Sequence, residues 1–328
     1  MGGLTAPMAS SATHSSRSPD RVGRKRNRAA LLPAWLPIEA ARVRTLWHSL
    51  LGEAAAMSTV MEDLAQRPGA RIQGWGCGMV LPPDWVMRLQ VDAARPRTPV
   101  VRQFYGGLLD GSLVPPSDRE LGMLNALSQV HFMNLHYVQR AADLNDDYAL
   151  AVLNIANEAF RSAVSGWRLQ AMHFESSARD APMFASAGFP VVPYLERGPW
   201  DHGPDAQRPV YLGITREQAR ASLPGTSVRH AFEHQPPRFR LSAAQRRLLW
   251  HALFDESDEH LMRVLDVSVH GLKKLWRGIY ERIEDAEPEF FGEAGGDDEG
   301  RRGPEKRRQV LAYVRQRPEE RRPWVQAS

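Results

Sequence analysis

Residues 241–283, LSAAQRRLLWHALFDESDEHLMRVLDVSVHGLKKLWRGIYERI, leave this part of the chain few folds to choose from. Ser242 followed three residues later by Gln245 is a capping box, so a helix is expected to start there. Leu248, Leu249, Ala252 and Leu253 then recur at i, i+1, i+4 and i+5, one apolar stripe from which Arg246 and Arg247 turn away. A second helix is expected after Ser257, where Asp258 and Glu259 suit the positive end of the helix dipole and Leu261, Val264 and Leu265 face inward. Asp266 and Val267 break the pattern, and Ser268 caps a third helix. On that helix Leu272, Leu275, Trp276, Ile279 and Ile283 form the core stripe, while His270, Lys273, Lys274 and Arg277 share the face left free. Cations on surface helices are usually only solvated. A tight polar break between two short helices, with cations in the first half of the second, is also how a helix is presented to the major groove of DNA.

The segment resembles the C-terminal DNA-binding domain of LuxR-type (GerE- or NarL-type) transcriptional regulators. The resemblance is carried by Leu241-Ser242, by Ser257 to Met262, by Leu265-Asp266-Val267-Ser268 and by the run from Gly271 to Ile283. It covers about 45 residues, and it implies DNA-binding roles for Ser268, His270, Lys273, Lys274 and Arg277. The resemblance also implies a homodimer on a palindromic double-stranded site. Gly271 stands where that family has threonine, Leu275 where it commonly has histidine, and a glycine inside a helix costs about 0.5–1 kcal/mol relative to alanine.

Charge is informative by its placement. The 328 residues carry a formal net charge of +4, and 43% are hydrophobic, enough for a globular core. Residues 241–284 hold seven cations and seven anions, whereas residues 301–322 hold nine cations and three anions. Attraction to phosphate would therefore come from the third helix and from the basic tail, not from the segment as a whole. Cys77 is the single cysteine, which excludes an intramolecular disulfide and a cysteine-rich zinc site. No apolar run of the ~20 residues needed to span a membrane occurs. A bacterial cytoplasmic protein without metal or cofactor is the expectation.

Residues 1–30, Ser- and Arg-rich, are expected to be a disordered basic leader. Residues 31–235 are expected to form an α+β domain that receives a signal. Within it, residues 31–64 suggest one or two helices, 71–81 a strand, 121–127 a helix opened by Ser117 and Glu120, and 130–138 a strand. Further on come a helix over 148–164, a strand over 167–175, a helix over 178–187, a strand over 189–195, a loop over 197–210 and a helix capped by Thr215. The helix-turn-helix occupies 238–285, a flexible linker 286–303, and a basic helix with its tail 304–328, opening at Pro304. The fold class is thus α+β followed by helices.

Other chemistry is sparse. Arg71-Ile72-Gln73-Gly74-Trp75-Gly76 matches the Arg-x-x-Gly-x-Gly string with which acetyltransferases cradle a pyrophosphate, which leaves an acyltransferase-like enzyme with an accessory helical domain as an alternative. Such a cradle must open a helix, and Cys77 to Pro83 is a poor helix start. His131 and His136, five apart on a strand, should point to opposite faces. His173 and Glu175 should share a face and a structural hydrogen bond. Cys77 reads as a small buried hydrophobe, or as a redox thiol if exposed near a cation. The expected function is transcription regulation by DNA binding. A protein-interaction module with a helix-turn-helix that no longer binds DNA is the other alternative.

Overall fold

The computed structural model describes residues 40–50, 53–92, 96–141, 143, 145–292 and 299–325. The basic leader, and the whole of the expected α+β region before residue 40, lie outside these. The first helix, α1 (Ala40–Leu50), is followed by strands β1 (Ala56–Glu62) and β2 (Ile72–Leu81), short helices α2 (Pro83–Arg88) and α3 (Val101–Asp110), then α4 (Asp118–Leu127) and β3 (Val130–Gln139). Next come α5 (Asp147–Val164), β4 (Leu169–Ser177), α6 (Ala181–Ser186), β5 (Val191–Val192), β6 (Pro209–Thr215), α7 (Arg216–Ala221) and α8 (Ser227–His230). Helices α9 (Ala243–Ala252), α10 (Asp258–Leu265), α11 (Val269–Ala286) and α12 (Glu299–Gln316) complete the fold, with a 3-10 turn at Pro318–Arg321.

The six strands form one sheet in the order β1-β2-β3-β4-β6-β5. Only β3 and β4 run parallel, joined by the crossover helix α5, and the other pairs are antiparallel. The fold is therefore α+β. One face of the sheet meets α1 and α3: Trp47 donates its indole hydrogen to the Tyr105 hydroxyl over Cys77. The other face is covered by α5 and α6. Helix α5 is amphipathic, with Ala149, Val152, Ala156, Ala159 and Ala163 buried, and it ends where Gly166 takes a left-handed φ of 85°.

Helix starts follow the side-chain caps. Ser117 with Glu120, Thr215 with Gln218 and Ser242 with Gln245 form reciprocal capping boxes, while Ser257 and Ser268 accept from the amides three residues on. Several expectations need correction. Residues 56–62 form a strand, because the edge of β2 offers them a ladder that their mixed propensities do not oppose. Of 189–195 only Val191 and Val192 pair, and the expected helix over 178–187 shortens to Ala181–Ser186. Helix α12 begins at Glu299 and carries Pro304 within it. The expected linker is partly built: α11 runs to Ala286, and Phe290 and Phe291 pack against the helical core.

Two apolar cores result. One spans residues from Val43 to Phe232 around the sheet, and the other, from Phe239 to Val314, lies among α9 to α12. Between them runs a strap, residues 317–325. Arg322 donates to the carbonyls of Ser162, Ala163 and Ser165 at the C-terminal end of α5, at 3.2, 2.8 and 2.9 Å. Glu320 accepts from the amides of Arg238 and Phe239, at 2.8 and 3.1 Å, just ahead of α9. Asn125 of α4 donates to Pro323 O, and Val325 N donates to Gly122 O. Arg246, expected to turn away from the core, is buried and bridges Asp118 of α4 at 2.5 Å. Its guanidinium is the direct charged link between α9 and the sheet unit.

Candidate nucleic-acid interface

Helix α11 is set by its cap and its stripe. Ser268 Oγ accepts from Gly271 N at 3.1 Å, and Asp266, with φ 54° and ψ 51°, turns the chain out of α10. Leu272, Trp276, Ile279 and Ile283 are buried against α9, α10 and α12, whereas Leu275 is only partly covered. Arg307 of α12 lies 4.8 Å from the Trp276 ring and pairs with Asp258 at 2.6 Å, so α12 occupies the Trp276 flank of the helix.

The opposite flank is open. Ser268, His270, Lys273, Lys274 and Arg277 are all exposed. Among the described residues none of His270, Lys273, Lys274 or Arg277 forms an ion pair or a side-chain hydrogen bond. At 3.6 residues per turn, Lys273, Arg277 and His270 fall within about 60° of one another, with Lys274 about 40° further round. Glu281 follows Arg277 by four residues on this same face and opposes anions there. Val269, 57% exposed at the head of the helix, is an uncovered apolar contact that the periodicity of the sequence does not single out.

The two glycines of α11 sit close to neighbouring side chains. A Cβ at Gly271 would lie 3.2 Å from Val267 Cβ, and one at Gly278 would lie 3.0 Å from Gln245 Nε2, the side chain that caps α9. In the basic tail, several of the described cations are engaged within the protein. Arg315 bridges Asp255, Arg317 bridges Glu319, Arg321 lies over Trp250, and Arg322 is enclosed by α5 and Trp167. Burial, then the neighbouring Arg321 and Arg246, pushes Arg322 well below the usual guanidinium range. The expected phosphate contact is thereby withdrawn for Arg322, whose guanidinium joins the strap to α5.

The remaining sequence candidates fall in the sheet unit. Residues Ile72 to Gly76 lie in β2, laddered to β1 and to β3, so the Arg-x-x-Gly-x-Gly string runs along a strand and opens no helix. His131 and His136 share one face, contrary to expectation, because β3 carries an extra residue at Leu135 that reverses the alternation: His131 stands opposite Leu81 and His136 opposite Cys77. They nonetheless serve different clusters. His136 Nε2 is 3.2 Å from the Cys77 sulfur, and burial takes its pKa down to about 3. The Cys77 thiol is itself buried and pushed up, first by burial, so this is a neutral pair and not an ion pair.

His131 Nδ1 is 2.9 Å from His173 Nε2, and His173 Nδ1 meets the Tyr211 hydroxyl. Glu175 does not bond to His173. Its oxygens accept from the amides of Val100 and Val101, 2.6 and 2.9 Å away at the start of α3, and from Tyr194 at 3.0 Å. Burial nevertheless raises Glu175 to about 7. These contacts join residues 19 to 75 positions apart, too far for any local pattern to show. Among the described residues no group of three His, Cys, Asp or Glu side chains could hold a metal ion, and no helix is long and apolar enough to cross a membrane.

The chain matches no protein-family model, no curated protein and no solved structure. The LuxR-type resemblance of residues 241–283 therefore rests on the residues that carry it.

Proposed function

We propose that this chain is a DNA-binding transcriptional regulator whose helix α11 enters the major groove. The uncovered cationic face of α11, set beside a short capped turn from α10, carries the reading. Lys273 and Arg277 supply contacts to base edges and phosphates, Lys274 and His270 flank them, and Ser268 approaches the backbone at the helix head. Val269 is suited to a thymine methyl. One helix of this size touches few base pairs, so two copies on a palindromic site are the expected assembly. The balance of seven cations and seven anions in residues 241–284 makes non-specific attraction weak and leaves discrimination to the few groups on that face.

Selection of genomic DNA fragments by the purified full-length chain should return one recurring two-fold symmetric sequence. On that sequence Lys273→Ala and Arg277→Ala should each weaken binding by about 1–3 kcal/mol if they read bases. Recovery of no preferred sequence, or two folded variants that bind as the parent does, refutes the reading.

A further inference from the structure

Between the sheet and α5 lies a cavity of about 660 Å³, counted out to its opening. That figure includes the open mouth; the room for the centre of a water-sized sphere is about 60 Å³, several times what one ordered water needs. Its origin can be traced to the sequence. Gly74, Gly76 and Gly78 alternate along β2 and so present no side chain to the α5 side of the sheet. Gly78 is filled by the Phe132 ring, where a Cβ would come within 2.4 Å of Cζ, but Gly76 is not: its nearest neighbours would be Tyr137 Cδ2 at 3.5 Å and Thr59 Oγ1 at 3.7 Å. Across the gap α5 offers Ala156 and Ala163, and five phenylalanines from β3, β4, α5 and the α6 region line the wall. Protein interiors are packed to crystal density, so a hollow of this size over consecutive small residues is a built feature.

The polar groups of the wall are few and all uncharged. Asn134 and Asn157 line it, and among the described residues neither side chain has a hydrogen-bond partner in the protein. No Lys, Arg, His, Asp or Glu lines it. A bound carboxylate or phosphate would lose its water and gain no countercharge, whereas an apolar body with one neutral polar group would satisfy the carboxamides.

We propose that this cavity is a binding site for a neutral, mainly apolar small molecule carrying a single amide, hydroxyl or carbonyl group, which Asn134 and Asn157 engage. The proposal stands apart from the DNA-binding reading, since its test uses no nucleic acid. The full-length chain is titrated with Nile red, a neutral apolar dye with one carbonyl, and the bound dye is then displaced with decanamide or with decanoate at pH 8. Saturable one-to-one binding is expected, with decanamide displacing the dye at concentrations roughly tenfold or more below those needed for ionised decanoate. Gly76→Leu, which projects into the hollow, should abolish dye binding, whereas Gly76→Ala, whose methyl meets only ordinary contacts, should keep it. The double variant Asn134→Ala, Asn157→Ala, which leaves the apolar wall intact, should keep the dye but require roughly tenfold more decanamide to displace it, since the carboxamide contacts are lost. Absence of saturable binding, equal displacement by the two competitors, or unchanged decanamide potency in the double variant overturns the proposal. Undiminished dye binding in a folded Gly76→Leu protein overturns it as well.

Discussion

Replacing Arg322 with methionine removes a buried guanidinium while keeping much of its length. Three carbonyl oxygens, those of Ser162, Ala163 and Ser165, then lose their donor. Among the described residues no backbone amide outside α5 reaches the second of these, since Trp167 N turns to Val164 O at the helix end. Each orphaned buried acceptor costs about 1–3 kcal/mol. Against that, the variant no longer desolvates a charge, a gain that replacements of buried ions by apolar residues put at about 1–4 kcal/mol. The balance is a loss of about 2–4 kcal/mol, a large share of the 5–15 kcal/mol that stabilises an ordinary domain. Urea unfolding followed by tryptophan fluorescence should show it as a lower midpoint, with Trp167, 5.1 Å from the guanidinium, among the reporters. Arg308→Met, which disturbs only an exposed pair with Glu305, should leave the midpoint in place. If Arg322→Met and Arg308→Met unfold at the same urea concentration, the strap does not hold the units as described.

Other perturbations follow from the same contacts. Gly166→Ala should destabilise by about 1–3 kcal/mol from its left-handed backbone alone, and further because the new Cβ would lie 2.6 Å from Glu319 N; a thermal midpoint equal to the parent's counts against this. His136 is neutral when folded and binds a proton near pH 6.5 when unfolded, so its stabilising effect is present above that pH and is lost on acidification toward its folded value of about 3. His136→Phe should therefore flatten the slope of stability against pH near pH 5 by about 1.4 kcal/mol per pH unit, and an unaltered slope would refute it. Glu175 acts in the opposite sense. Raised to about 7, it holds its proton in the folded chain, so stability falls as pH rises from about 4.5 to 7, a loss that Glu175→Gln should abolish in the same titration.

What the sequence made legible was local. The caps at Ser117, Thr215, Ser242, Ser257 and Ser268 are each a side chain meeting an amide three residues on, and the stripe on α11 repeats within one helix. The exposed face with Lys273, Lys274 and Arg277 follows directly from that stripe. Strand β1 was hidden because Ala56, Met57 and Glu62 favour helices when isolated, and only the partner strand makes them extended. Helix α3 was hidden by Gly106 and Gly107 within it; Gly107 is close to Leu113, with no room for a Cβ. The bulge at Leu135 leaves no mark on composition, yet it decides which histidines share a face. Arg246 reads as a solvent cation until Asp118, 128 residues earlier, comes beside it.

The strap also constrains the order in which the protein can be made. Every group that residues 317–325 grip, from Gly122 and Asn125 to the end of α5 and the amides of Arg238 and Phe239, is synthesised before Arg322 emerges. Chains grow at about 5–20 residues per second, so the carbonyls awaiting Arg322 are exposed for roughly 8–30 s after they leave the ribosome. In that interval the sheet and the helices can each collapse about their own core without being fastened together. A nascent chain stalled before this clasp would display both cores assembled and the joint between them undone.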